Sequence, residues 1–251
     1  MNVLVFADPT AASLHIVDEV SKIVRERPEV VLGLATGGTP TDVYRELVRR
    51  QQAGDIDLSG VTTFNLDEYV GLSPEHPQSF ASFMRHHLFD HVGLSVDRTH
   101  LPPGRCDDFS AAARDYEADI ARHGGIDWQL LGIGDNGHIA FNEPGSPAGS
   151  RTRIVQLTAE TIEANSRFFD DPRDVPRRAI TMGIGTILEA KRIRLLAFGA
   201  QKAAAVAAAI QGPVGDDCPA SFLRRHPDVT FVLDRAAAGR LQREVGANPE
   251  S

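Results

Sequence analysis

At 251 residues, with 42% hydrophobic and 24% charged residues, the chain has the composition of an ordinary globular protein and needs no staples to support a core. Its formal net charge of −8 argues against a nucleic-acid partner and obliges any anionic ligand to find a locally positive pocket. No run of about eighteen apolar residues is present, and MNVLVFADPT lacks the basic region and cleavage site of a secretory signal, so no membrane association is expected and the cytoplasm is the default address. Cys106 and Cys218 stand far apart without CxxC or Cys/His clustering, which disfavours a disulfide framework or zinc site and fits a reducing compartment.

In chain order, residues 3–7 predict a strand and 11–27 a helix. Residues 30–35 predict a second strand running into ATGGTP, followed by helical spacing over 41–52. A third strand over 61–64 ends in NLDEYVG, and helices are expected over 80–90 and 108–123. The run 128–133 ends in GDNGH and the run 194–198 in GAQK, with a helix over 201–210 after it. A last strand over 229–233 precedes a helical pattern over 236–245.

These strands are continuously apolar rather than alternating, as strands covered on both faces must be. The expectation is an α/β, Rossmann-like fold: one domain spanning 1–251, its mostly parallel sheet covered by helices on both faces. Residues 145–176 read as an insertion or lid within it, and 246–251 as a frayed tail. In such a sheet the carboxyl ends of the strands form the ligand crevice, so the turns ATGGTP, NLDEYVG, GDNGH and GAQK should converge.

Each turn carries chemistry. Thr36, Gly37, Gly38 and Thr39 precede Pro40 at a helix start, where backbone N–H groups and hydroxyls can close on a phosphate; a simple capped turn is the alternative. The spacing matches neither a Walker loop nor GxGxxG. Asp67 and Glu68 follow a strand end, where a desolvated carboxylate can act as general base or merely cap a turn. His138 can pass protons near neutral pH with Glu143 orienting it, unless it is a satisfied structural histidine. Arg167 and Lys202 are the cations best placed for a phosphate dianion, against the alternative of plain surface solvation.

The segments GLATGGTPTDVYREL, VTTFNLDEYVGLSPEHPQSF, GIGDNGHIAFNEPGSP, SRTRI, NSRFF and GAQKA occur in order over roughly residues 30–205. Together the chain resembles the glucosamine/galactosamine-6-phosphate isomerase family. The resemblance implies conversion of glucosamine 6-phosphate and water to fructose 6-phosphate and ammonia, with no metal or organic cofactor. It carries the enolisation base onto Asp67, ring opening onto His138 with Glu143 and, by position, Asn136, and the phosphate site onto Thr36, Gly37, Gly38, Thr39, Arg167 and Lys202.

Two departures stand out. Some members have Asp directly before the Gly-His pair, where this chain has Asn136 after Asp135, so Glu143 is expected to carry more of the imidazolium charge. Allosteric members have a basic residue where this chain has Val155, and a longer aromatic-bearing C-terminus, so activation by N-acetylglucosamine 6-phosphate is expected to be weak or absent. Galactosamine 6-phosphate, a 6-phosphogluconolactonase-like reaction and a non-catalytic sugar-phosphate sensor remain alternatives, although no basic helix-turn-helix pattern precedes the domain. Quaternary state is left open, a homo-oligomer among the options.

Overall fold

Successive residues of the central strands are buried on opposite faces, so each strand needs two apolar layers. In the computed structural model, which describes residues 1–167, 169 and 171–242, both layers are supplied by helices. Leu32, Leu34, Trp128, Leu130, Leu196 and Val232 pack with residues of α1 (Pro9–Glu26), α2 (Thr41–Gln52) and α3 (Phe80–His87). Val31, Leu131, Leu195 and Phe231 pack on the other face with α4 (Phe109–Arg122), α6 (Ile184–Leu188) and α7 (Ala203–Gln211). Each such side chain withdrawn from water contributes about 1.5–3 kcal/mol, which is why the sheet, not any helix, organises the molecule.

The strands are β1 (Asn2–Phe6), β2 (Val31–Leu34), β3 (Thr62–Asn65), β5 (Thr99–His100), β6 (Trp128–Leu131), β9 (Ile193–Ala197) and β10 (Val229–Asp234). They form one seven-stranded sheet in the order β1-β10-β9-β6-β2-β3-β5, with every pairing parallel. From β2 the chain continues to β3 on one side, whereas from β6 the next strand of this sheet is β9 on the other. The order therefore reverses between β2 and β6, and a ligand crevice opens where loops diverge in this way.

A second sheet stands beside the first. β4 (Asp67–Tyr69) pairs antiparallel with β8 (Arg178–Thr181), which pairs antiparallel with β7 (Arg153–Gln156). Sequence patterning missed it, because its three strands have only three or four residues, each with at least one charged side chain, and carry no apolar run longer than two. Residues 145–176 supply β7 and α5 (Ala159–Ser166).

The helix expected over 236–245 does not form in its described part. Residues 235–240 make turns instead, with Asp234 accepting from the Ala237 amide. Only Ala237 of that stretch is fully buried, so there is no apolar face to dock a helix. Residues 246–251, read as a frayed tail, lie outside the described residues. Among the described residues no helix is long and apolar enough to cross a membrane.

Candidate active site

The loop after β2 meets the reversal point first. Thr36 and Thr39 are half-buried and Gly37 and Gly38 exposed, ahead of α2. None of these four residues donates its backbone N–H to a protein acceptor among the described residues. Gly37 sits at φ 97°, a conformation that glycine adopts without strain, and its carbonyl accepts from the Thr41 hydroxyl at 3.2 Å. The loop is anchored from below by Tyr44 on α2, whose hydroxyl donates to the Ala35 carbonyl at 2.5 Å. Unclaimed N–H groups at the head of a twelve-residue helix form a ready anion cradle.

The loop after β6 follows the strand that pairs with β2 on the other side of the reversal. Asn136 Nδ2 donates to Glu143 Oε2 at 2.8 Å, and since a carboxylate only accepts, the Asn136 amide oxygen must face the other way. That oxygen lies 2.8 Å from His138 Nδ1 and also accepts from the His138 amide at 3.1 Å. The hydrogen of a neutral His138 is thereby fixed on Nδ1, leaving the Nε2 lone pair to take a proton. Glu143 Oε2 stands 3.4 Å from the same Nδ1. Burial alone would raise the Glu143 carboxyl, but hydrogen bonding and charge from His138, with donors from Thr161 and Asn136, bring it down to about 2.

Backbone shape makes this arrangement possible. A Cβ on Gly134 would come within 2.1 Å of the His138 ring, so the imidazole lies where only glycine leaves room. Ala140 takes φ 50°, the one described non-glycine residue at positive φ, inside a tight turn closed by Asn142. The buried Asn142 amide donates to the carbonyls of Ile139 at 3.0 Å and Met182 at 2.8 Å. Thr161 on α5 donates its hydroxyl to Glu143 Oε1. Nothing in the sequence singles out Thr161, because its partner lies 18 residues earlier with no motif linking them.

Asp67 comes to this loop through the second sheet. It pairs with Thr181 across β4 and β8, and the Thr181 hydroxyl accepts from the Phe141 amide at 3.2 Å. The Met182 amide donates to the Leu66 carbonyl at 2.7 Å, while the Met182 carbonyl receives Asn142. Tyr116 on α4 donates to the Asn65 carbonyl at 2.6 Å, fixing the chain just before Asp67. The Asp67 carboxylate is 6% exposed and has no hydrogen-bond partner among the described residues. Burial, and secondarily the charge of Glu68, push it up to about 8.

Of the two cations, Lys202 after β9 places Nζ 2.6 Å from Asp135 Oδ1, beside the His138 loop. Arg167 caps the C-terminus of α5, the helix tied to Glu143 through Thr161, and is exposed. Asn136, His138 and Glu143 thus form one bonded group, linked to Asp67 through β8 and the 139–142 turn, with Lys202 at its edge.

A parallel sheet whose order reverses between β2 and β6, with polar loops at those strand ends, is the architecture of α/β enzymes that bind small molecules at the carboxyl ends of their strands. The chain belongs to the Glucosamine-6-phosphate isomerases/6-phosphogluconolactonase family, whose model matches residues 9–232. It is 56% identical over 238 residues to a glucosamine-6-phosphate deaminase of Rhodopirellula baltica, covering 95% of each chain. It is 52% identical over 225 residues to glucosamine-6-phosphate deaminase 2 of Bacillus subtilis, covering 89% of this chain and 90% of that one. A solved monomeric glucosamine-6-phosphate deaminase superposes with a TM-score of 0.93 at 44% identity, over 96% of this chain and 100% of the other. The 6-phosphogluconolactonase of Trypanosoma brucei, at 20% identity and a TM-score of 0.79 over 96% of this chain and 98% of its own, shares the fold.

Proposed function

We propose that this chain converts glucosamine 6-phosphate and water to fructose 6-phosphate and ammonia. The observation that carries the reading is Asp67: a buried carboxylate with no hydrogen-bond partner among the described residues, joined through β8 and the 139–142 turn to a relay that leaves His138 Nε2 free. In this reading the Thr36–Thr39 loop, Lys202 and Arg167 hold the phosphate, and that remote grip positions the sugar carbons.

His138 Nε2 takes the proton of the C1 hydroxyl and returns it to the ring oxygen, breaking the C1–O bond and leaving an aldehyde. While the proton resides on the ring, Glu143 bears the opposing charge and Asn136 keeps Nδ1 oriented. The new carbonyl acidifies C2, and Asp67 in its ionised form removes that proton while the C1 oxygen takes one from water, giving an amino-enol and hydroxide. Asp67 returns its proton to C1, which converts the amino-enol to an iminium at C2. Water adds to the iminium carbon, ammonia departs with the nitrogen, and the ketone of fructose 6-phosphate remains. Each step uses groups on this chain and needs only the substrate and water.

The test is a product assay on the purified protein with glucosamine 6-phosphate, galactosamine 6-phosphate and 6-phosphogluconolactone offered in parallel. Ammonia and fructose 6-phosphate in equal amounts from the first substrate are expected. Lactone hydrolysis without ammonia release would replace this reading with the lactonase one.

A further inference from the structure

A second group of ionisable side chains lies outside the crevice, two strands out from β2 at the edge of the main sheet. β5 ends on His100, and α4 presents Asp119 and, one turn on, His123 at its C-cap, residues that share a helix face. His100 Nδ1 is 2.8 Å from Asp119 Oδ2, and His123 Nδ1 is 3.4 Å from Asp119 Oδ1 and 2.9 Å from the Asp119 carbonyl. The three side chains each offer a ligand atom within 4.8 Å of the others, the one such group among the described residues.

The surroundings fix these ligands. Phe64, fully buried in β3, stacks on the His100 ring at 4.4 Å with planes 10° apart and meets the His123 ring edge-on at 5.4 Å. His100 Nε2 is buried with no hydrogen-bond partner, so Nδ1 is the nitrogen it turns toward Asp119. Arg122 Nη2 also lies 3.0 Å from Asp119 Oδ1, on a side chain 67% exposed that can swing into water.

We infer that His100, Asp119 and His123 bind one divalent transition-metal ion, clamping the end of α4 to edge strand β5. Two imidazoles and a carboxylate suit zinc, nickel or cobalt, whereas magnesium and calcium favour oxygen shells. Bonds of about 2.0–2.1 Å set the ligand atoms of a tetrahedral ion roughly 3.3 Å apart, wider than the 2.8 Å His100–Asp119 pair and inside the 4.8 Å limit of the group, so a ring must shift. His123, 33% exposed at its side chain, has the freedom to do so. Three protein ligands leave a tetrahedral ion one position for water, and the site's consequence is stability rather than chemistry.

The test uses the untagged full-length protein titrated with Co2+, Zn2+ and, as control, Mg2+, followed by calorimetry, the visible Co2+ spectrum and thermal melting. One equivalent of Co2+ or Zn2+ is expected, with Tm raised by roughly 3–6 °C and no response to Mg2+. His123→Asn should abolish the Co2+ band and the Tm rise while leaving ammonia release unchanged. Arg122→Ala removes the competing cation and should tighten Co2+ binding several-fold. Absence of binding, or binding that neither variant alters, overturns the assignment.

Discussion

Asp67 and Glu68 are consecutive carboxylates with opposite surroundings. Glu68 Oε1 accepts from the Tyr69 amide at 2.8 Å and the Phe80 amide at 2.9 Å, and its Oε2 accepts from Ala81 at 2.9 Å, at the start of α3. Asp67 accepts from nothing among the described residues. One acid holds the fold and the other is available for chemistry.

Glu68→Gln therefore acts on stability. An amide nitrogen cannot accept, so at least one buried N–H at the head of α3 loses its partner, at about 1–3 kcal/mol. A fall in Tm of several degrees is expected, with kcat within about tenfold of the parent. A collapse of kcat at unchanged Tm would move the chemistry from Asp67 to Glu68.

Asp67 itself is expected to weaken the fold as pH rises. Its carboxyl sits at about 8 in the folded protein, raised first by burial and then by Glu68, whereas an unfolded aspartate titrates near 3.9. Between those limits the folded state holds a proton that the unfolded chain has released, so stability declines as pH climbs from about 4 to about 8. Asparagine has no such proton to lose. The Tm of Asp67→Asn should match the parent near pH 4 and exceed it by several degrees at pH 8, which thermal melts across that range will show. Parallel curves would mean that the carboxylate is not desolvated.

Much of this was legible in the residues, for physical reasons. The six apolar runs became strands because doubly covered strands leave an unbroken hydrophobic signature, and β5, at two residues, was too short to leave one. The clustering of Asn136, His138 and Glu143 was legible because all three sit within eight residues. The identity of the support was not. Thr161, Thr181, Tyr44 and Tyr116 act through contacts 18, 40, 9 and 51 residues away, and none differs locally from an ordinary helix or strand residue. From the residue types alone Asp67 and Glu68 read alike, and only the family resemblance put the base on Asp67; that Glu68 is engaged by the head of α3 was not legible.

Asn136→Asp changes the relay without removing it. The new carboxylate can still accept from His138 Nδ1, but it replaces the Nδ2 donor that Glu143 now receives at 2.8 Å. A second negative charge beside the ring favours the imidazolium, so the limb of the rate profile governed by His138 should move to higher pH, with activity within about tenfold. An unmoved profile would argue that the ring is not the titrating group.

Lys202→Ala should behave as the loss of a phosphate contact. Removing a charge-assisted bond worth about 1.5–3 kcal/mol raises KM roughly 10- to 150-fold, with kcat little changed if the grip is equal in ground and transition states. Tm should barely move, because the Asp135 side chain of the ion pair is 69% exposed and such pairs contribute little. An unaltered KM would remove Lys202 from the phosphate site.

The most direct measurement is the rate of ammonia release from glucosamine 6-phosphate by Asp67→Asn beside the parent protein, with substrate affinity and melting recorded on the same samples. If Asp67 takes the C2 proton, kcat falls by about 10²–10⁴ while affinity stays within a few-fold and the protein melts no lower. A variant that releases ammonia within tenfold of the parent rate would show that some other group removes that proton.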